Sequence, residues 1–207
     1  MKKAYFIDLD NTLYFTEPNA EILLGGIYRL LEQEDLGISK TEFEKAKEEM
    51  LRIPFQKIAA KYKFKEDAVQ HALTFLKNKE LTIPMDVHGE YHYIKALKGI
   101  KIIVTAGFEK TQLSKVKMLG IENDFDEVFI VDNTKTDGNK KDAFLQLLKK
   151  YKLAPADVMV IGDDAESEIK FGLELGMETF LYDPKAYFPN AATTYRATTL
   201  KDLEQLG

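Results

Sequence analysis

The amino-acid sequence predicts an α/β fold: a doubly wound parallel sheet with a small all-helical domain inserted after the first strand. Three observations predict it. Short apolar runs that end in acidic residues or glycine recur along the chain, and helical patterns separate the last four of them. The stretch after the first run carries helix-forming residues without a strand pattern. Strands that alternate with helices are typical of a parallel sheet covered on both faces.

Five apolar runs are predicted to be the buried strands of this sheet. They are short and bounded by acids or glycine, which is typical of strands that are covered on both faces. In chain order they are residues 4–7, 100–104, 128–131, 158–161 and 179–182.

Helices between these runs are indicated by apolar residues spaced three and four positions apart. One such face, with the spacing i, i+3, i+4, i+7, consists of Phe144, Leu147, Leu148 and Tyr151. Ile169 and Leu173 begin a second apolar stripe of the same kind. Gly120 and Gly176 are placed where a glycine commonly ends a helix.

The stretch between the first two predicted strands has a different character. It contains a capping box at residues 39–42, which predicts the start of a helix that Pro54 should end. We expect three or four helices here that form a separate cap. The predicted domains are therefore an α/β core of residues 1–15 and 84–207 and a helical cap of residues 16–83.

Composition and charge exclude several classes of protein. The chain of 207 residues is 45% hydrophobic and 30% charged, which is typical of a soluble globular protein. Its net charge of −5 argues against nucleic acid as a partner. No apolar run approaches the ~20 residues of a membrane span, and Asp8 comes too early for a signal peptide. Because the chain has no Cys, thiol nucleophiles and Cys-ligated metals are excluded. We expect a cytoplasmic protein.

Acidic side chains gather where the predicted strands end. The first strand runs into Asp8 and Asp10, and the fourth runs into Asp163. The carboxyl ends of parallel strands meet at the edge where open α/β sheets bind ligands. Two carboxylates ~5 Å apart repel by roughly 3 kcal/mol at an effective dielectric of ~20, so the cluster requires protons or a cation. Oxygen ligands without Cys or His nearby point to Mg²⁺ rather than zinc.

The strand ends resemble the motifs of the haloacid dehalogenase superfamily. The run at residues 8–12, Asp-Leu-Asp-Asn-Thr, is similar to its first motif, Asp-x-Asp-x-Thr directly after the first strand. Thr105 resembles the second motif, a Thr or Ser that ends the next core strand, and a Lys near residue 140 resembles the third. The fourth motif is matched by Gly162-Asp163-Asp164. Four motifs in the right order make the resemblance specific.

The resemblance implies a phosphatase mechanism. Asp8 would attack phosphorus and form an aspartyl-phosphate, and Asp10 would protonate the leaving oxygen and later take a proton from water. Mg²⁺ would be held by the Asp8 side chain, the Asp10 backbone carbonyl and Asp163. The Thr105 hydroxyl and the Ala106 amide would bind a phosphoryl oxygen, and the third-motif lysine would balance the remaining charge.

Two assignments within the motifs stay open. Lys135, Lys140 and Lys141 are candidates for the third-motif lysine. Lys140 is preferred because it lies near the centre of the apolar face predicted for its helix, and Lys141 is the second choice. The outer acid of the metal site is either Asp164 or Glu168, because the family commonly has Asp where this chain has Glu168.

The expected function is Mg²⁺-dependent hydrolysis of a small phosphorylated metabolite beneath the cap. The run at residues 8–14 looks like that of nucleotidase-type members, so a nucleoside monophosphate is one predicted substrate. The alternatives are a phosphosugar mutase or dehalogenase of the same fold, and a regulatory protein that binds phosphate or metal without turnover. Arg29, Arg52 and Lys57 of the cap could meet a substrate, but nothing in their spacing selects one of them. The oligomeric state is not predicted.

Overall fold

The computed structural model describes residues 2–132 and 138–206. A single sheet contains the strands β1 (Ala4–Ile7), β2 (Ile100–Ala106), β3 (Glu127–Val131), β4 (Val158–Gly162), β5 (Glu178–Tyr182) and β6 (Tyr195–Ala197). All pairings are parallel, and the order across the sheet is β3-β2-β1-β4-β5-β6. The predicted doubly wound parallel sheet is confirmed, and five strands lie where the apolar runs predict them.

The strand order determines where ligands can bind. β1 pairs with β2 through Ala4 opposite Ile100, and with β4 through Ala4 opposite Val158. The chain winds outward from β1 to β3 and then returns to the other side of β1 as β4. Open α/β sheets bind ligands at such a reversal, beyond the carboxyl ends of the strands. Asp8 follows β1 at this point and Asp163 follows β4.

Four helices form the segment from residue 17 to residue 78, which follows β1. They are α1 (Ala20–Leu31), α2 (Lys40–Glu49), α3 (Phe55–Tyr62) and α4 (Glu66–Asn78), preceded by a 3-10 turn over Glu17–Asn19. Their apolar faces share a hydrophobic cluster that includes Ile27, Phe43 and Ile58, while Leu23 and Leu81 pack with the cluster beneath the sheet. We call this segment the cap, and its boundaries at residues 16–83 remain a prediction.

The remaining helices cover the two faces of the sheet. They are α5 (Tyr91–Ala96), α6 (Glu109–Met118), α7 (Lys140–Tyr151) and α8 (Lys170–Glu174), with 3-10 turns over Glu122–Asp124, Pro155–Asp157 and Leu200–Gln205 and a π-helical turn over Ala165–Ile169. Gly120 and Gly176 follow α6 and α8 with φ of 67° and 78°, which confirms the predicted helix ends. Across residues 2–132 and 138–206, no helix combines the length and apolar character that crossing a membrane requires.

Alternating side chains of β1 supply the cores on both faces of the sheet. Tyr5 and Ile7 belong to one hydrophobic cluster, and Ala4 and Phe6 belong to the other. Phe6 stacks on Phe144 of α7 with ring centroids 5.5 Å apart. The strand is therefore anchored from both sides, and the residues that follow it start from a fixed position.

Two local features differ from the sequence prediction. The prediction that Pro54 ends the capping-box helix is wrong, because α2 ends at Glu49. The Pro54 carbonyl instead accepts hydrogen bonds from the N–H groups of Lys57 and Ile58 in the first turn of α3. The fixed φ of proline suits the start of a helix. β6 has no counterpart among the predicted strands, because Ala197 alone of its three residues is buried.

Candidate active site

Asp8 lies at the carboxyl end of β1 and is bound by a lysine. Its backbone N–H donates to the Ile161 carbonyl of β4 at 2.8 Å, which extends the sheet pairing to this residue. Its side chain is buried and accepts a hydrogen bond from Lys140 Nζ. Burial raises the pKa of Asp8; the charge of Lys140 opposes this rise, and the carboxylates of Glu168 and Asp10 add to it. Lys140 thus stabilises the ionised form of a carboxylate that its surroundings otherwise disfavour.

A capping box fixes the start of α7 and with it the position of Lys140. Asn139 Oδ1 accepts from the Lys141 N–H at 2.8 Å, and Asp142 Oδ2 accepts from the Asn139 N–H at 2.9 Å. Lys140 is the first residue of the helix and is buried. A cation in a first helical turn is disfavoured by the helix dipole, so the neighbouring carboxylates must compensate for its position.

The structure distinguishes between the candidate lysines. Lys140 Nζ contacts Glu168 Oε2 at 2.8 Å in addition to Asp8. Lys141 Nζ forms an ion pair with Glu174 at 2.8 Å on the surface. Lys135 lies outside the described residues. The preferred lysine, Lys140, is therefore the one that the structure brings to the acidic strand ends.

Two further carboxylates lie beside Asp8. Asp163 follows β4, and Glu168 belongs to the π-helical turn; carboxylate oxygens of these two residues and of Asp8 lie within 4.8 Å of one another. Glu168 Oε1 accepts from the Asp164 N–H at 2.8 Å. The Asp164 side chain accepts from the Glu166 N–H at 2.9 Å and so caps the turn. Of the two candidates for the outer acid, the structure brings Glu168 to what we call the carboxylate cluster, Asp8, Asp163 and Glu168.

Arg52 reaches the carboxylate cluster from the cap, between α2 and α3. Its Nη2 atom donates to Asp163 Oδ2 at 2.6 Å. Its guanidinium also lies over the ring of Tyr187, 4.5 Å from the centroid, which is a cation–π contact. The cap therefore touches the cluster through one charged side chain that is held from two directions.

The carboxylate cluster has more acidic groups than cationic partners in the described part of the chain. Burial raises the pKa of Asp163, and the charges of Glu168 and Asp8 raise it further against the opposing charges of Arg52 and Lys140. Within the described part of the chain, the three carboxylates contact two cations, Lys140 and Arg52. An added cation would reduce the remaining repulsion.

Asp10 has a different environment from Asp8, although the two are separated by a single residue. Its carboxylate accepts hydrogen bonds from Tyr14 Oη, from Gln112 Nε2 at 3.1 Å and from Lys115 Nζ at 2.7 Å. Burial alone would raise the pKa of Asp10, but the charge and hydrogen bond of Lys115, with Tyr14 and Gln112, hold it below its usual value. The Asp10 carboxylate is thus ionised and bound on the α6 side of the site.

Gln112 connects Asp10 to the end of β2. Its Nε2 atom donates to Thr105 Oγ1 at 2.5 Å and to the Ala106 carbonyl at 3.2 Å. Gly107 follows with φ of 148°, a conformation that side chains rarely adopt, and a Cβ there would lie 3.1 Å from Gln112. The turn after β2 therefore requires glycine, which leaves room for the Gln112 amide against the strand end.

Two cavities lie between the cap and the sheet, one lined by Asp10 and the other by Asp163. The Asp10 cavity, of about 250 Å³, is lined among others by Asp10, Ala106, Gln112, Lys79 and Lys115. The Asp163 cavity, of about 460 Å³, is lined among others by Asp163, Phe15, Tyr182 and Tyr187. Asn11, Leu51 and Arg52 line both. Arg52 therefore lies at the division between the two spaces.

The predicted site residues fall into two groups. The first consists of Asp8, Asp163 and Lys140, and the second consists of Asp10, Thr105 and Ala106. Arg52, Gln112 and Lys115 were not selected from the sequence. Gln112 and Lys115 could have been predicted from their i, i+3 spacing, which places two polar side chains on one face of α6. No such local signal distinguishes Arg52 from the other cap cations.

Comparisons with known proteins bear on both the fold and the chemistry. The family model described as haloacid dehalogenase-like hydrolase matches residues 2–176. The solved structure of the HAD hydrolase YfnB from Bacillus subtilis, bound to magnesium, superposes with a TM-score of 0.70 at 17% identity. That match covers 99% of this chain and 98% of YfnB. At this identity the likeness shows a shared fold.

Two curated relatives are similar in sequence. The glyceraldehyde 3-phosphate phosphatase of Methanocaldococcus jannaschii is 26% identical over 221 residues, covering 100% of this chain and 96% of the relative. The ribulose-1,5-bisphosphate 5-phosphatase of Halopiger xanaduensis is 27% identical over 103 residues, covering 49% of this chain. That alignment spans 43% of the length of the second relative.

Proposed function

Because this chain belongs to the haloacid dehalogenase-like hydrolase family, we propose that it is a phosphatase acting on a small phosphate ester. The observation that carries the proposal is the pair of differently held acids after β1. Asp8 accepts a hydrogen bond from Lys140 within the carboxylate cluster, and Asp10 has its own set of hydrogen-bond donors. A dehalogenase does not need an acid at Asp10, because halide leaves without a proton. Both curated relatives are named as phosphatases, which supports phosphoryl chemistry.

The carboxylate cluster fits Mg²⁺. Its oxygens lie within 4.8 Å of one another, and Mg²⁺ prefers oxygen ligands. A dication would reduce the repulsion among its carboxylates, and the solved YfnB structure is bound to magnesium. In this proposal Asp8, Asp163 and the Asp10 backbone carbonyl would hold the ion, with Glu168 as the outer acid. When bound, the ion would supply positive charge to balance the phosphoryl oxygens.

Asp8 and Asp10 divide the reaction between them. An oxygen of Asp8 forms a bond to phosphorus while the bond from phosphorus to the leaving oxygen breaks, and Asp10, which must enter this step protonated, gives that oxygen its proton. Asp10 then takes a proton from water, whose oxygen attacks phosphorus and releases Asp8. The hydrogen bond from Lys115 suits the second half of this cycle, because it favours the ionised Asp10 that the water requires.

Thr105, Ala106 and Lys140 bind the phosphoryl oxygens in this proposal. The Thr105 hydroxyl is held by Gln112 close to Asp10, and Ala106 lines the Asp10 cavity. Lys140 lies against Asp8 on the other side. The proposed donors therefore accompany both acids, which is the arrangement needed to position the phosphoryl group between them.

The leaving group in this proposal is small. Asp10 can protonate the leaving oxygen only where that oxygen meets its carboxylate, and Asp10 lines the cavity of about 250 Å³. This volume lies just below the range of about 300–1,000 Å³ that is typical of sites for drug-sized ligands. A short sugar or polyol phosphate fits within this cavity alone, whereas a nucleoside monophosphate would also extend into the adjoining Asp163 cavity.

Hydrolysis of para-nitrophenyl phosphate with and without Mg²⁺ tests the proposal. We expect Mg²⁺-dependent turnover that Asp8→Asn abolishes, because an amide cannot act as the nucleophile. Asp86→Asn is the matched control, since Asp86 is an exposed aspartate outside the carboxylate cluster. Turnover that persists in Asp8→Asn, or that is independent of metal, would contradict the mechanism.

A second variant tests the acid–base role of Asp10. Asp10→Asn should lower kcat by about 10²–10⁴-fold, because general acid–base catalysis contributes that much. Binding of inorganic phosphate, measured by calorimetry, should persist in this variant. An unchanged kcat would remove the role assigned to Asp10. A screen of triose, pentose and nucleoside phosphates would then identify the substrate.

A further inference from the structure

A partly buried lysine of the cap lines the same cavity as Asp10. Lys79 directly follows α4, and its Nζ donates to the backbone carbonyls of Leu23 and Ile22, the latter at 3.3 Å. Within residues 2–132 and 138–206, its hydrogen-bond partners are these carbonyls rather than a carboxylate. A cation removed from water without a carboxylate partner is costly, so an anion that reached it would bind with a net gain.

The other cations that line the Asp10 cavity are paired with carboxylates, and Lys79 is not. Lys115 pairs with Asp10, and Arg52 pairs with Asp163. Asp132, the other acid on the cavity wall, accepts a hydrogen bond from the Glu109 N–H at 3.2 Å and has further interactions of its own. Among the described residues, these pairings leave Lys79 as the cation on the cavity wall without a carboxylate partner.

The pKa of Lys79 agrees with this picture. Burial lowers it to about 8; the positive charges of Lys115 and Arg29 act in the same direction, and the carboxylate of Glu21 opposes them. At neutral pH the amine is still mostly protonated. The negative charge of Glu21 therefore does not compensate for the burial of Lys79 and for the neighbouring cations.

We propose that the Asp10 cavity binds a second anionic group of the substrate, a carboxylate or phosphate on the leaving group, and that Lys79 is its cationic partner. The inference rests on the proposed function, because it is Asp10 that places the leaving oxygen in this cavity. The leaving group then extends from Asp10 toward Lys79 within about 250 Å³. Within the short phosphate esters of the proposed function, the favoured substrates are therefore those that carry a second acidic group.

Calorimetry with phosphonates that cannot be hydrolysed tests this inference in the presence of Mg²⁺ at pH 7. 3-Phosphonopropionate carries the second anion, and its carboxamide, 3-phosphonopropionamide, has the same shape without the charge. We expect the wild type to bind the carboxylate about tenfold more tightly, as one charge-assisted hydrogen bond provides. Propane-1,3-diylbisphosphonate is the second-phosphate arm, and its affinity relative to the carboxylate shows which anion the cavity prefers.

Lys79→Gln should reduce the preference for the carboxylate over the carboxamide to less than about twofold. Lys77→Gln is the matched control, because Lys77 is an exposed lysine in the last turn of the same helix and should retain the preference. If Lys79→Gln does not fold, as judged by circular dichroism, Lys79→Met is measured in its place.

Two results would overturn the inference. One is equal affinity of the wild type for the carboxylate and the carboxamide, and the other is a preference that survives in the Lys79 variant. Both are binding results that need no turnover. Failure of the phosphatase proposal shows separately, as absent hydrolysis of para-nitrophenyl phosphate, so the two failures are distinguishable.

Discussion

Replacing Arg52 by Gln should raise the affinity of the carboxylate cluster for Mg²⁺. In the structure Arg52 Nη2 donates to Asp163 Oδ2 at 2.6 Å, and Asp163 is a proposed metal ligand. A cation that binds the Asp163 carboxylate meets the positive charge of Arg52 at this contact. Arg52 therefore competes with the metal, and Arg52→Gln removes the competing charge while all three carboxylates remain.

The size of the effect follows from the exposure of the ion pair. Two unit charges 4 Å apart attract by ~4 kcal/mol at an effective dielectric of ~20. The Arg52 side chain is 35% exposed and that of Asp163 is 11% exposed, so water screens part of this energy. Desolvation of Asp163 offsets more of it, which leaves a net coupling of about 1–2 kcal/mol. Its removal corresponds to a roughly five- to thirtyfold gain in Mg²⁺ affinity.

Titration calorimetry with MgCl₂ measures this gain directly. Arg29→Gln is the matched control, because Arg29 is a cap arginine that is 63% exposed and pairs with Glu21 at 2.5 Å. It loses the same charge without touching the cluster, so its Mg²⁺ affinity should stay within about twofold of the wild type. Equal or weaker Mg²⁺ binding in Arg52→Gln would refute the reasoning, because Arg52 and the metal would then not compete for Asp163.

Three other changes test the packing and charge of the site. Lys140→Met should lower the free energy of unfolding by about 3–5 kcal/mol in chemical denaturation, because the buried carboxylates lose their cationic partner. Added Mg²⁺ should restore part of this loss. Gly162→Ala should cost about 1–3 kcal/mol and weaken Mg²⁺ binding, because a Cβ there collides with the Glu168 side chain. Burial lowers the pKa of Lys79 from 10.5 to about 8. The free energy of unfolding of the wild type should therefore increase as pH rises through this interval. The sign follows because the unfolded chain binds the proton more tightly there, and Lys79→Gln should lack the rise.

Matched variants separate these effects from general damage. Lys141→Met removes an exposed ion pair and should cost less than about 1 kcal/mol. Gly89→Ala, with no atom within 4 Å of the new Cβ, should stay within about 0.5 kcal/mol of the wild type. A Lys140→Met loss no larger than that of Lys141→Met would show that the carboxylates are not stabilised as ion pairs. Parallel pH curves for the wild type and Lys79→Gln would exclude a lowered pKa.

The sheet and the Asp8 half of the site could be predicted because their signals are local in sequence. Asp8 and Asp163 each follow an apolar run directly, and parallel pairing brings the ends of such runs to one edge. Lys140 could be selected because the apolar stripe of α7 fixes its direction. In each case a regular element translates position along the chain into position in space.

The rest of the site depends on contacts that no regular element encodes. Arg52 meets Asp163 across 111 positions of sequence, and Lys115 meets Asp10 across 105. The first contact requires the orientation of the cap, which no periodic pattern specifies. The choice of Glu168 over Asp164 also escapes periodicity, because it depends on a π-helical turn whose Ser167 has φ −115° and ψ −107°.

Arg52 also lines the Asp10 cavity, so Mg²⁺ and phosphate should strengthen each other's binding. A cation at Asp163 would release the guanidinium beside the space where the phosphorylated substrate is proposed to bind. Linkage requires inorganic phosphate to tighten Mg²⁺ binding by the same factor as the reverse. Mg²⁺ itself attracts phosphate, so the informative comparison is between variants. The factor by which phosphate tightens Mg²⁺ binding should be roughly fivefold smaller in Arg52→Gln than in the wild type, and it should be unchanged in Arg29→Gln. An unchanged factor would mean that Arg52 only competes with the metal and that Mg²⁺ and Lys140 alone balance the phosphate charge.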